Sequence, residues 1–280
     1  LAGDWLKFIP VGLTNIHEAP DDEASDDDDM SRWIESYPTD QAEARTSDEF
    51  SIYRSRAFYE SCFLLTKSIY ILEGVVDLII AGCPSWTQSD AYHAAFFSCR
   101  AVLGLLGIQI VEAEGKSFIV DLWPEGHEKG RKKQTARSET LAVMCRAPQH
   151  RHRWGLFQRT LRVSKVERVE GWSIETVALL VGLKEKDFAD QRNQLHYHTD
   201  YWPLPDIVNR LPIDNSVSAM LLRKSEADPS APGFSLWLAV AILRLGVSLG
   251  RDIGKFGGVL QTVFGDLTER LARIEWIIDE

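Results

Sequence analysis

The 280 residues carry 45% hydrophobic side chains and a formal net charge of −10, enough apolar mass to bury a large core and too much to leave the whole chain disordered. An average charge of that sign argues against indiscriminate nucleic-acid binding, which needs clustered cations, although the average hides a separation of acidic and basic stretches. With no run of about 18 uninterrupted apolar residues, and an opening LAGDWLKFIP that lacks the basic start and apolar stretch of a secretory leader, the sequence is expected to be a soluble cytoplasmic protein with no membrane association.

Two parts are expected along the chain, an N-terminal segment over 1–45 and a helical domain over 46–280. Residues 1–17 hold Trp5, Phe8, Ile9, Val11, Leu13 and Ile16 and are too apolar for a free tail, so docking on the main body is expected. The acidic run EAPDDEASDDDD follows, with eight acids from Glu18 to Asp29. Such a block is expected to be a solvated flexible linker, or an acidic strand that folds onto the basic stretch from Lys129 to Arg168 as a phosphate mimic. Thr46 and Glu49 form a capping-box signature, and Phe50, Tyr53, Ala57, Phe63, Leu64 and Ile71 carry a helical register to Gly82 and Pro84, with a break expected around Gly74.

After a turn expected at Pro84 to Asp90, Tyr92, Ala95, Phe96, Cys99, Val102, Leu103 and Leu106 recur at helical spacing until Gly107. His93 and Arg100 fall off that stripe, toward solvent or a partner. From Ile108 the period drops to two, through Ile110, then Phe118, Val120 and Leu122, so residues 108–123 are predicted to form one exposed β-hairpin. Pro124 to Lys133 reads as a basic Gly-rich loop. Helical spacing returns weakly over Ser138 to Met144 and over Trp154 to Leu161, a short helix is predicted from Ile174 to Val181 behind Ser173, and another from Lys184 to about Thr199. Phe234 to Leu249 is apolar at helical spacing, Gly250 to Gly258 interrupts it with a hinge or a close helix contact, and Val259 to Ile278 resumes it. The fold expected from this pattern is mainly α, a helical bundle with an inserted β-hairpin.

The chain has no phosphate-binding Gly-Lys loop, no dinucleotide fingerprint and no zinc helix. Cys62, Cys83, Cys99 and Cys145 are too scattered for a zinc or redox pair, and Cys62 and Cys99 sit within apolar helical patterns as buried thiols. His150 and His152 stand among arginines, which suits a phosphate better than a metal cation. No metal or cofactor is therefore expected.

One stretch concentrates reactive groups. FADQRNQLHYHTDYW, residues 188–202, holds Arg192, Asn193, His196, Tyr197, His198 and Tyr201. Histidine titrates near neutrality and an adjacent arginine can grip two phosphoryl oxygens. Arg192 and His196, four apart, share one face of a regular helix. The alternative is structural, with Arg192 paired to Asp187 or Asp190 and the aromatics filling a core.

The early helix AYHAAFFSCRAVLGLLGI, with Tyr92, Ala95 and Phe96, together with the later RNQLHYH resembles the HEPN superfamily of all-α proteins, over roughly residues 46–202. That resemblance implies a HEPN-like bundle and matches Arg192, Asn193 and His198 to the family's Arg, polar residue and His, while His196 competes on helical geometry. It further implies a homodimeric, metal-independent endoribonuclease of the kind found in toxin or antiviral defence systems. Arg192 would then stabilise the phosphorane and His198 would move the proton, with RNA held by Arg131, Lys132, Lys133, Arg151 and Arg153. The other implied class is a non-catalytic module that binds a nucleotide or a protein partner.

Overall fold

The computed structural model describes residues 48–81, 84–113, 116–122, 142–145, 150–164, 174–184, 187–188, 233–254 and 258–279. Among them are six helices and three strands: α1 Asp48–Ala81, α2 Pro84–Leu105, β1 Ile108–Ala113, β2 Lys116–Asp121, β3 Ala142–Cys145, α3 His150–Ser164, α4 Ile174–Gly182, α5 Phe234–Gly254 and α6 Gly258–Asp279. The described chain is mainly helical. Helices α1, α2, α5 and α6 pack on one another, and α3 joins them through α2, with α4 against α3.

Helix α5 organises the bundle because it is apolar on almost every side. Leu238, Ala239, Ile242, Leu243, Leu245, Val247, Leu249 and Ile253 are all buried, while Arg244 and Arg251 are exposed. By length and composition Phe234–Ile253 could cross a membrane, yet 72% of its most apolar window is buried inside the protein, as expected of a core helix. Each large side chain so buried stabilises the fold by roughly 1.5–3 kcal/mol. Two glycines let the neighbouring helices come close. Leu65 of α1 and Val102 of α2 occupy the space where Gly246 lacks a side chain, and the Phe264 ring of α6 occupies that of Gly250. Helix α5 runs through Gly250 to Gly254, so no interruption begins at Gly250, which serves as a close helix contact; residues 255–257 lie outside the described residues.

Helix α1 is continuous past Gly74, where no break occurs: one glycine costs a helix about 1 kcal/mol, which the burial of Leu72, Val75, Val76 and Ile79 around it outweighs. Helix α2 begins at Pro84, so Pro84 to Asp90, expected as a turn, is its first part. Proline at a first helical position loses no hydrogen bond and is already in helical φ. The helix ends as expected at Gly107, whose φ of 77° only glycine adopts freely, with the Gly107 N–H donating to the Gly104 carbonyl at 2.9 Å.

The predicted hairpin is present, with Ile110 opposite Ile119 and Ala113 opposite Lys116, but it is two strands of three. β3 pairs antiparallel with β2, Phe118 opposite Met144, in the order β1-β2-β3. The weak helical spacing over Ser138 to Met144 is thus corrected: Ala142 and Met144 favour helix intrinsically, and the open edge of β2 overrides that preference. Nor is the hairpin wholly exposed. Ile108, Val111, Val120 and Leu122 are buried, the Leu122 N–H donates to the Gly107 carbonyl at 2.7 Å, and the Gln109 amide donates to the Ala57 carbonyl of α1 at 3.4 Å.

Charged pairs join helices at the rim. Arg100 of α2 bonds Glu60 of α1 at 2.8 Å, so the side of α2 expected to face solvent or a partner is partly turned to α1. Arg244 of α5 reaches Glu275 of α6 through its Nε at 2.8 Å. Arg270 of α6 grips both carboxylate oxygens of Glu73 at 2.9 and 2.6 Å and lies 4.2 Å from the centre of the Tyr70 ring.

Two outcomes follow from this packing. Gly250→Ala should destabilise the protein by about 1–3 kcal/mol, as overpacking does, and Phe264→Leu in the same chain should restore part of the loss, read by urea denaturation with an unchanged slope. The hydrogen bonds from Arg270 hold the Glu73 carboxyl below its usual value, against the opposing effect of burial. A depressed carboxylate contributes stability above its unfolded value and loses it as pH falls through the folded one. Glu73 is more than a third exposed and so screened, so Arg270→Gln should cost under about 1 kcal/mol near neutrality. That cost should fade from about pH 5 downward, measured by urea titration across pH.

Candidate nucleic-acid interface

Helix α3 carries the basic sequence HRHRWGLFQRTLRVS, with four arginines, two histidines and no acid. Its apolar positions Trp154, Phe157 and Leu161 recur three and four apart and are buried, which turns His152, Arg153, Arg159 and Arg162 toward the other faces. Trp154 is the pivot. Its indole N–H donates to the Tyr92 hydroxyl of α2 at 3.3 Å, its ring meets Tyr92, Phe96 and Phe157 edge-on at 6.0–6.3 Å, and it stacks on Phe188 at 4.6 Å with 14° between the planes. Such contacts add about 0.5–1.5 kcal/mol beyond area burial.

Phe188 is the first residue of the stretch 188–202, so its stack ties the start of that stretch to α2 and α3 at once. The approach to it is fixed by polar contacts. The Gln158 amide of α3 donates to the carbonyls of Leu180 and Leu183 at 2.8 and 2.6 Å, and Arg162 donates to that of Val181 at 3.0 Å. These satisfy carbonyls that the end of α4 would leave open. The Lys184 N–H then donates to the Asp187 carboxylate and the Asp187 N–H to the Lys184 carbonyl, each at 2.9 Å. Asp187, one of the two acids weighed as a partner for Arg192, is engaged in this turn.

Arg192, Asn193, His196 and His198 lie outside the described residues, as do Arg131, Lys132 and Lys133 and the acidic run 18–29. Arg151 falls in the first turn of α3. Arg153 is half-buried, its guanidinium 5.8 Å from the centre of the Phe96 ring, within cation–π range. His152 and Arg159, seven residues apart on one helical face, are exposed with Arg162. The absence of acids across α3 was visible in the sequence and marks these residues. The anchor at Phe188 carried no such signal, because one phenylalanine in a polar stretch reads equally as loop or core.

Cys62 and Cys99 are free thiols, as expected. Burial pushes Cys62 up to about 12 and raises Cys99 as well, against the pull of Arg153 and Arg100, so neither is a nucleophile at neutral pH. Among the described residues no group of three or more His, Cys, Asp or Glu side chains gathers for a metal ion.

Comparison with protein-family models, curated proteins and solved structures finds no match for this chain.

The aromatic junction sets two expected outcomes. Phe188→Ala should cost about 3–5 kcal/mol, the range for a fully buried phenylalanine. Tyr92→Phe, which leaves the buried indole N–H without its acceptor, should cost about 1–3 kcal/mol. Both are read from urea denaturation, and a change below about 0.5 kcal/mol for Phe188→Ala, the scale of an ordinary surface substitution, would contradict the stack.

Proposed function

We propose that this chain is a HEPN-like, metal-independent endoribonuclease that works as a cytoplasmic homodimer in a toxin or antiviral defence setting. The observation that carries the reading is the stack of Phe188 on Trp154 and the bond from Trp154 to Tyr92. It joins the helix bearing Tyr92, Ala95 and Phe96 to the start of the stretch bearing Arg192, Asn193 and His198, the two segments on which the family resemblance rests. The mainly helical body supports the reading, as does the acid-free helix α3 beside that junction.

In this mechanism the RNA 2′-oxygen attacks the adjacent phosphorus and the 5′-oxygen leaves, so the phosphate ends as a 2′,3′-cyclic ester. His198 takes the 2′ proton or returns one to the leaving oxygen. Arg192 stabilises the charge on the phosphorane oxygens, and Asn193 orients the phosphate. Dimerisation draws support from a row of exposed aromatics on α1. Tyr59, Phe63 and Tyr70 are 50%, 66% and 63% exposed and, four and seven residues apart, share the face of the helix opposite its core contacts. Apolar patches of this kind mark interaction sites.

A second reading, a non-catalytic module for a nucleotide or a protein partner, is favoured by the aromatic rings of Tyr92, Phe96, Trp154 and Phe188 that fill the junction. One experiment separates the two. Purified protein incubated with total RNA in chelator should cleave it, with activity rising through a concentration threshold. His198→Ala and Arg192→Ala should each lower the rate by about 10²-fold or more at nearly unchanged melting temperature. Loss on His196→Ala instead moves the general acid–base role to that residue. Cleavage indifferent to all three substitutions removes the nuclease assignment from this stretch, and titration with nucleotide against Arg192→Ala then tests the module.

A further inference from the structure

Helix α3 holds more positive charge than its fold needs. Its inner face is accounted for by Trp154, Phe157, Leu161 and Gln158. On the outer face, the Arg159 Nε donates to the Gly155 carbonyl of its own helix at 3.2 Å, and no other partner for that guanidinium is present among the described residues. Arg162 spends one bond on the Val181 carbonyl. His152 is exposed, with no partner among the described residues. No ion pair within the described residues involves any of the three. The described acids on the adjoining stretch are Glu175, exposed on α4, and Asp187, whose carboxylate accepts the Lys184 N–H.

Stability does not explain this arrangement. Arg162 in the last turn suits the helix dipole, but Arg151 and His152 in the first turn oppose it, and like charges along one helical face repel. In a chain whose net charge is −10, an acid-free helix with unshared donors is a local reversal of sign. On an ideal helix His152 and Arg159 stand about 10 Å apart and Arg162 a further ~4.5 Å along. Among the described residues of α3 no large hydrophobic side chain is exposed, so what this face chiefly offers a strand is N–H donors for phosphate oxygens.

We propose that the outer face of α3 is a sequence-independent phosphate tract, in which Arg159, Arg162 and His152 hold the backbone of single-stranded RNA. This rests on RNA being the ligand in the proposed function. Contacts to phosphate fix the position of a strand without reading its sequence, so the tract holds the substrate while any sequence preference arises elsewhere.

The test is fluorescence anisotropy of the full chain with labelled oligo(U) and oligo(A), across about 50–200 mM salt. Arg159→Gln should weaken both RNAs several-fold and equally, and should make the plot of log affinity against log salt shallower by about 0.7, one phosphate contact on a single strand. Adding His152→Gln should weaken both RNAs further and equally. Arg244→Gln, whose parent side chain is held by Glu275, should leave the slope unchanged, and melting temperatures should stay level. RNA binding with a slope indifferent to Arg159→Gln and to the double variant overturns the tract while leaving RNA as the ligand. Loss confined to one of the two RNAs overturns it too, since a phosphate contact cannot discriminate. If wild type binds neither RNA, the tract and the RNA reading fall together. Binding that weakens as expected without any cleavage keeps the tract and removes the nuclease.

Discussion

A helix as apolar as α5 has to be enclosed before the rest of the chain can be placed. Among its described residues the exposed positions are Arg244 and Arg251, and the remaining faces meet other helices. The glycines at 246 and 250 decide how closely that can happen, by admitting Leu65 and Val102 on one side and the Phe264 ring on another. Because α1, α2 and α6 all close on this one helix, their own apolar stripes are committed inward. What each presents outward is then fixed by helical period: Arg100 toward Glu60, Arg270 toward Glu73, and on α1 the row Tyr59, Phe63 and Tyr70.

The commitment of α2 to that core has a second consequence. One flank of α2, at Tyr92 and Phe96, is left for Trp154, and so α3 attaches there. Among the described rings, the one stacked on Trp154 at close range is Phe188. The junction is therefore a chain of dependence from α5 to α2, from α2 to α3, and from α3 to the start of the stretch 188–202. Gln158 adds direction, since its amide holds both the end of α4 and Leu183, which sets where the chain turns before it reaches Phe188.

Elements with long apolar periods were legible in the sequence. The stripe from Tyr92 to Leu106 and the two alternating runs between Ile108 and Leu122 were visible because each keeps a single spacing along its element, and Gly107 marks the change from one to the other. The misreadings occur where tertiary contact outweighs local preference. Pro84 to Asp90 looked like a turn from its polar composition, and Ala142 to Cys145 is a strand only because β2 has an open edge. Gly74 marked a break that the burial around it suppresses. For the candidate site, the basic character of α3 was readable, and Arg153 stood out as an RNA contact. What the pattern could not reveal is the division of labour among its arginines. That Arg153 lies over Phe96 while Arg159 keeps donors unshared depends on where α2 sits.

That division also bears on how an acidic protein would hold the anionic ligand proposed for it. Fixed charges act over a Debye length of about 8 Å at physiological salt, so a phosphate at α3 responds to the guanidinium groups beside it far more than to acids scattered over a chain of 280 residues. Net charge governs the long-range encounter, which the value of −10 opposes. Local charge governs the bound state, which the acid-free face of α3 favours. If α3 is the phosphate tract proposed for it, a flexible single strand would reach it at less electrostatic cost than a stiff duplex, which would bring more of its charge against the rest of an acidic chain. On that proposal, charge segregation would select by shape and flexibility without reading a base.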